Sequence, residues 1–279
     1  MPKRLCTLLA MLLCATAFAS TSLQEELKRI GDTGAIRFAF EGADVRITTP
    51  FLEILLNGPA RNYCIKEFGR LGQPRHFQSF LGFSLPGKSG GSEYYAMNRT
   101  RDVTITKHDG SLTLAVTTEL PLATVVRVME FFPDRRFFKQ TIEVTATAEI
   151  TINRIINHVY LDKAKRLIAW NDGQEVKYYK NTKPAWFNIS RPDVKPFIAY
   201  LDETGKDGVA LISANMPNWR ENPGLLLSSA GKDGGFSLEL NKWGGKTIRI
   251  GDTTYYELFF APVADLDDAD AVMKDILPY

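Results

Sequence analysis

Cysteine is scarce: 279 residues hold three, Cys6, Cys14 and Cys64. The first two lie in an apolar N-terminal run, which leaves Cys64 alone in the body of the chain. One thiol cannot close an internal disulfide, and Cys64 is expected to be buried. Histidine is as rare, with only His76, His108 and His158. Several motif classes are missing altogether. The chain has no G-x-G-x-x-G after a strand, no phosphate-binding Walker loop, no G-x-S-x-G elbow and no H-E-x-x-H, so the dinucleotide, nucleotide, serine-hydrolase and zinc-protease readings attached to them fall away. After the N-terminal run, no segment is long and apolar enough to span a bilayer.

That N-terminal run has three parts in order. Lys3 and Arg4 are followed by an apolar stretch from Leu5 to Phe18, and Ala17 and Ala19 flank Phe18 in an A-x-A pattern before Ser20. This predicts a cleavable signal peptide over residues 1–19 and a periplasmic or secreted mature chain. The stretch is shorter than the roughly 20 residues a spanning helix needs. Leu13 precedes Cys14, where lipid attachment requires a small side chain, so a lipid anchor is not expected. Cleavage removes Lys3 and Arg4, leaving 32 basic residues against 32 acidic ones. A balanced chain offers no electrostatic basis for binding nucleic acid or an anionic membrane.

The rest suits one domain over residues 20–279. A short helix is expected over Leu23–Ile30, with Ser22 and Glu25 spaced as a capping box, Leu23, Leu27 and Ile30 on one face, and Gly31 as its stop. From Ala35 the apolar period is two. Asp109-Gly110 separates two alternating runs as a hairpin turn. Thr124–Phe132 and Phe137–Thr147 read as partners, followed by Ile150–Leu161, Phe197–Leu201, Val209–Ser213, Phe236–Leu240, Thr247–Ile250 and Tyr255–Phe260. Asp265 to Leu277 reads as a helix with acidic residues in its first turn, as the helix dipole favours. Many short strands with Gly, Pro, Asn and Asp between them predict an all-β antiparallel sandwich with a short helix at each end.

Few groups can carry chemistry. His108 adjoins the hairpin turn and is expected to face solvent. His76 lies in an irregular stretch beside Arg75, near Arg61 and Arg70, and loops are where binding groups gather. On a strand, Ile156, His158 and Tyr160 share one face while Asn157, Val159 and Leu161 share the other. His158 and Tyr160 suit either a sugar cleft or a hydrogen-bonded pair in a half-buried sheet. In Phe236–Asn241 the polar Ser237, Glu239 and Asn241 alternate with apolar residues, and Trp243 follows. An aromatic beside polar groups is one way proteins stack on pyranose rings. The acidic cluster Asp265, Asp267, Asp268 and Asp270 lacks the glycine and terminal glutamate of a calcium loop; it reads as a helix start.

Asn157-His158-Val159-Tyr160-Leu161 resembles the N-H-x-Y-F strand of the aldose 1-epimerases, the galactose mutarotases, and follows two hairpin strands as it does in that family. Leu238-Glu239-Leu240, then Ile248–Asp252 and Tyr255–Phe260, look like that family's closing strands. The resemblance implies a large antiparallel β-supersandwich. It matches His158 to the general acid, Glu239 to the general base and His76 to a partner histidine. It requires no cofactor or metal, and leaves Tyr160, Asn157, Arg75 and Trp243 as candidates for holding a carbohydrate. The chain departs from the pattern where His76 precedes Phe77-Gln78 instead of paired glycines, and where Asn241-Lys242-Trp243-Gly244 follows the glutamate strand. The interval between His158 and Glu239 is also shorter. Three functions fit: an epimerase-like enzyme; a non-catalytic glycan-binding protein using Trp170, Trp186, Trp219 or Trp243; and a lyase on acidic glycans, with His158, Tyr160 or Tyr94 as base and an arginine or asparagine for the substrate carboxylate.

Overall fold

The computed structural model describes residues 27–28, 30, 34–86, 92–96, 100–152, 154–161, 166–171, 174–179, 186–188, 197–202, 204–212, 226–230, 235–240 and 246–276. The expected signal peptide, Trp219 and Trp243 lie outside them. In chain order the first strands are β1 (Arg37–Glu41), β2 (Asp44–Thr48), β3 (Leu52–Leu56), β4 (Ile65–Arg70), β5 (Gln73–Pro86) and β6 (Ser92–Ala96). Longer strands follow: β7 (Asp102–His108), β8 (Ser111–Leu120), β9 (Ala123–Phe131) and β10 (Phe138–Ala146). Next come β11 (Ile150–Ile152), β12 (Arg154–Leu161), β13 (Arg166–Asn171), β14 (Gln174–Tyr179) and β15 (Trp186–Asn188). The last are β16 (Phe197–Leu201), β17 (Gly208–Ile212), β18 (Leu226–Ala230), β19 (Gly235–Leu240), β20 (Lys246–Ile248) and β21 (Thr253–Val263), and then helix α1 (Leu266–Ile276).

Two antiparallel sheets carry the architecture. The first runs β1-β2-β3-β4-β5-β12-β19-β18-β15, with β6 also paired to β5; the second runs β16-β17-β21-β10-β9-β8-β7. Alternation explains why they pack. In β9 and β10 every second residue is buried, so each strand turns one apolar row inward and leaves a half-exposed row outside. Rings close the gap between the sheets. Phe68 of β4 meets Phe138 of β10 nearly edge-on at 5.3 Å, and Phe77 of β5 meets Phe260 of β21 at 6.3 Å. Strand β17 breaks the alternation, being buried along its whole length. Its second face is covered by α1, whose Ala269, Val272, Met273 and Ile276 fall at helical spacing and pack against Ala210, Ile212, Phe259 and Ala261.

A tight segment enters the space between the sheets from the β3–β4 connection. A Cβ on Gly58 would lie 2.8 Å from the Ala43 carbonyl oxygen, a close approach only glycine permits. The 3₁₀ turn Pro59–Arg61 follows, and then Asn62 and Tyr63 both take left-handed backbone, with φ of 54° and 49°. The second sheet holds this strained pair down. Arg127 of β9 donates from Nη2 to the Asn62 carbonyl and to the Tyr63 carbonyl (2.7 Å), while Thr118 of β8 donates to Asn62 Oδ1 (3.0 Å). Cys64 is half-buried, its free thiol against the Arg127 guanidinium. Buried in the core was the expectation. Cys64 ends this segment directly before β4 and is partly exposed.

The expected elements appear with small shifts. Gly110 makes the β7–β8 turn at φ 90°, and His108 is exposed beside it. Leu27, Lys28 and Ile30 are helical, and Leu27 is buried in the main core with Ile30 against it. The run Ile150–Leu161 divides into β11, which pairs with β20, and β12, which joins the first sheet. A second expectation is corrected. The stretch around His76 is not irregular but the start of β5, folded back on β4 through Leu71 and Gly72 at φ 75°. Pro74 obscured it, because proline is rare in strands. Here it lies opposite Gly69 near the end of the ladder, where a missing donor costs little.

Candidate functional site

Face assignment starts from β5. Phe77 is buried against the second sheet and Ser79 is buried with the same parity, so His76, Gln78 and Phe80 hold positions on the opposite, outward face. The ladder carries this across. His158 of β12 is opposite Phe80, and Tyr160 is opposite Gln78; both occupy outward positions. On its other side β12 pairs with β19, where His158 is opposite Ser237 and Ile156 is opposite Glu239. His158 and Glu239 therefore hold diagonal positions on one face of adjacent strands. Such positions lie about 7–8 Å apart.

The remaining candidates separate. Asn157 is opposite Leu81 and Leu238, and Arg75 is opposite the buried Phe68; both hold inward positions. His76 shares the outward face with His158 but is four residues along β5 from Phe80, roughly 13 Å at strand spacing. Its neighbour across the ladder is Glu67 of β4.

Glu67 belongs to a charged flank that no sequence motif announced. Arg46 of β2 donates from Nε to Glu41, from Nη1 to Glu53 and from Nη2 to Glu67 at 3.3 Å. Lys66 pairs with Asp44 at 3.0 Å. Leu55 lies between Arg46 and Glu67 in the register and is 1% exposed, so their ion pair spans a buried residue on the outward side. The electrostatics follow the geometry. The hydrogen bond from Arg46 holds the Glu41 carboxyl below its usual range, and Asp44 holds the Lys66 ammonium above its own. Only the alternation of Asp44, Arg46 and Thr48 against Val45 and Ile47 could have flagged this cluster, and such alternation ordinarily marks a solvated face. Among the described residues no group of three or more His, Cys, Asp or Glu could hold a metal ion, and no helix is long and apolar enough to cross a membrane.

No family model matches the sequence, and no curated protein is similar to it at the sequence level. Solved structures are similar in shape. A candidate aldose 1-epimerase from Klebsiella pneumoniae aligns over 87% of this chain and 86% of its own, with 13% identity and a TM-score of 0.57. A galactose mutarotase-like protein from Lactobacillus casei aligns over 78% of this chain and 99% of its own, at 9% identity and a TM-score of 0.51. The fold is galactose mutarotase-like. The mutarotase-like sandwich also occurs within a larger chain, an α-galactosidase from Geobacillus stearothermophilus. There the alignment covers 85% of this chain and 42% of that one, with 9% identity and a TM-score of 0.53. At such identities the mutarotase-like likeness establishes architecture, and the chemistry must come from the site itself.

Proposed function

We propose that this protein is a carbohydrate-active enzyme that exchanges the anomers of an aldose, with His158 as general acid and Glu239 as general base. The observation that carries the proposal is their diagonal placement on one sheet face. Directly opposed residues, about 5 Å apart, would satisfy one another; a diagonal pair leaves room for a sugar ring between them. The reaction needs that separation, because its two proton transfers occur at different oxygens. Glu239 takes the proton of the anomeric hydroxyl as the bond from C1 to the ring oxygen breaks. His158, as imidazolium, protonates the departing ring oxygen. Rotation about the C1–C2 bond and closure with the transfers reversed yields the other anomer, with no net change in atoms or charge. Unperturbed pKa values of about 6.5 and 4.3 let imidazolium and carboxylate coexist in mildly acidic to neutral solution. Tyr160, two positions from His158 on the same face, is proposed to hold the sugar, and the charged flank beside His76 to bound the site.

A lyase acting on acidic glycans draws less support. It needs an arginine or asparagine for the substrate carboxylate. Asn157 holds an inward position, and Arg46 and Lys66 are matched to carboxylates. Arg154, outward on β12 but four residues from His158, is the cation a lyase would have to use. The test is exchange NMR on a panel of aldoses near pH 6.5. The wild type is expected to exceed the spontaneous rate, and His158→Ala and Glu239→Gln to lose about 10²–10⁴ in kcat. Wild-type exchange at the spontaneous rate, or full activity in both variants, would overturn the assignment. Tight sugar binding without exchange would instead make this a glycan-binding protein.

A further inference from the structure

The first sheet aligns more than one acid–base pair. Read across its strands, the row through His158 begins with Phe80 on β5, continues through His158 on β12, Ser237 on β19 and Ser228 on β18, and ends with Trp186 on β15. The row crosses five strands, four spacings of about 4.8 Å, so its ends lie roughly 19 Å apart. Its composition is uneven. Both ends are aromatic, whereas the two positions between His158 and Trp186 are serines. Alongside them the next row holds Tyr160, Gly235 and Ala230. Small residues thus hold the positions on β19 and β18 that lie between the two aromatic positions of the row. The row's length far exceeds a single pyranose.

We propose that the outward face of β5, β12, β19, β18 and β15 binds a neutral oligosaccharide laid across the strands, its reducing-end sugar at His158 and Glu239 and its remaining units extending over Ser237 and Ser228 to Trp186. This rests on the acid–base reading above, which fixes the chain's direction, since only the reducing end carries a free anomeric hydroxyl. Neutral sugars are specified because no charged residue other than His158 occupies the row, Glu239 and Arg154 standing beside it at the reducing end only. On the neighbouring flank, moreover, Glu41, Glu53, Glu67 and Asp44 outnumber the Arg46 and Lys66 that pair with them. Those carboxylates disfavour an acidic chain approaching from that side. Aromatic residues offer apolar faces to sugar C–H groups, and the serine hydroxyls can exchange hydrogen bonds with sugar hydroxyls.

The probes are β-1,4-linked galactose and glucose oligomers of one to four units, with anomer exchange at the reducing end followed by NMR and binding by calorimetry. For the wild type, kcat/KM for the tetramer is expected to exceed that for the monosaccharide by about tenfold or more, roughly 1.4 kcal/mol. Trp186→Ala is expected to bring the tetramer-to-monomer ratio close to one, and Trp186→Phe to restore much of it. Ser228→Arg, which enlarges a small position of the row without altering an aromatic residue, should lower the same ratio. Circular dichroism checks that each variant is folded. A ratio of one in the wild type, or an unchanged ratio in Trp186→Ala and Ser228→Arg, overturns the extended site. The two proposals fail separately. Monosaccharide exchange without length dependence removes the oligosaccharide and keeps the acid–base pair. Tetramer binding tenfold tighter than monomer binding, with no exchange at any length, removes the acid–base pair and keeps the row.

Discussion

Arg127 holds a position that its strand's alternation reserves for core, between Val125 and Met129, and it is 1% exposed. Its charge meets main-chain carbonyls of Asn62 and Tyr63 and the Cys64 thiol, with no carboxylate partner among the described residues. Burial accordingly draws its pKa below the ordinary arginine value. What the guanidinium secures is the consecutive left-handed pair at Asn62 and Tyr63, a conformation that L-residues adopt reluctantly. Arg127→Ala would strand two buried carbonyls and open a cavity, and is expected to cost about 3–5 kcal/mol. Arg127→Met keeps the volume and relieves the buried charge, so its loss should be well under half of that. Urea unfolding of both variants at constant m-value gives the comparison. Equal losses would show that the hydrogen bonds to the Asn62 and Tyr63 carbonyls, which both variants remove, set the cost and that volume does not. Sequence alone pulls this residue two ways: period two places it inside, its charge places it outside, and only the carbonyls of a distant turn decide.

Elements were legible where one face is buried and the other is wet. The hairpins β7–β8 and β9–β10 announce themselves through alternation and Asp109-Gly110, and His158 and Glu239 could be assigned to faces before any pairing was known. Their neighbours could not be named, because register between β12 and β19 depends on strands nearly 80 residues apart. Strand β5 was obscured by Pro74, and the double burial of β17 by the absence of any local mark of α1 lying over it. The start of α1 was readable. Asp265 accepts from the Asp268 amide at 2.9 Å as an N-cap, while Asp268 in turn receives Arg136 and the Ala264 amide. Asp265→Ala is expected to destabilise the protein by about 1 kcal/mol. Hydrogen exchange should show faster opening of residues 266–276 with the β9–β10 amides unchanged. Uniform acceleration across both sheets would mean that α1 is not a separable unit.

For the whole molecule, the address remains a matter of the first 19 residues. We propose that they direct export and are removed, so that the sugar-handling face works outside the cytoplasm. Mass spectrometry of protein recovered from the periplasm or medium should give a chain starting at Ser20. An intact chain retained in the cytosol would refute this. Zero net charge after the proposed cleavage fits the proposed uncharged ligand, and on the flank beside His76 four carboxylates are paired with Arg46 and Lys66.

The order of the first sheet also has a kinetic consequence. Strands β1 to β5 are made early, but β12 comes next in the sheet, and β19, β18 and β15 complete it. The Arg127 contact that fixes the β3–β4 turn spans 64–65 residues of chain. Loop closure on this scale must precede any gain from pairing, which delays assembly. The face bearing His158 and Glu239 is thus incomplete until β19 has been made, and the second sheet waits longer still, for β21. Under the proposed export across a membrane, such tardiness would be an asset: it would keep the precursor threadable until its final strands have arrived.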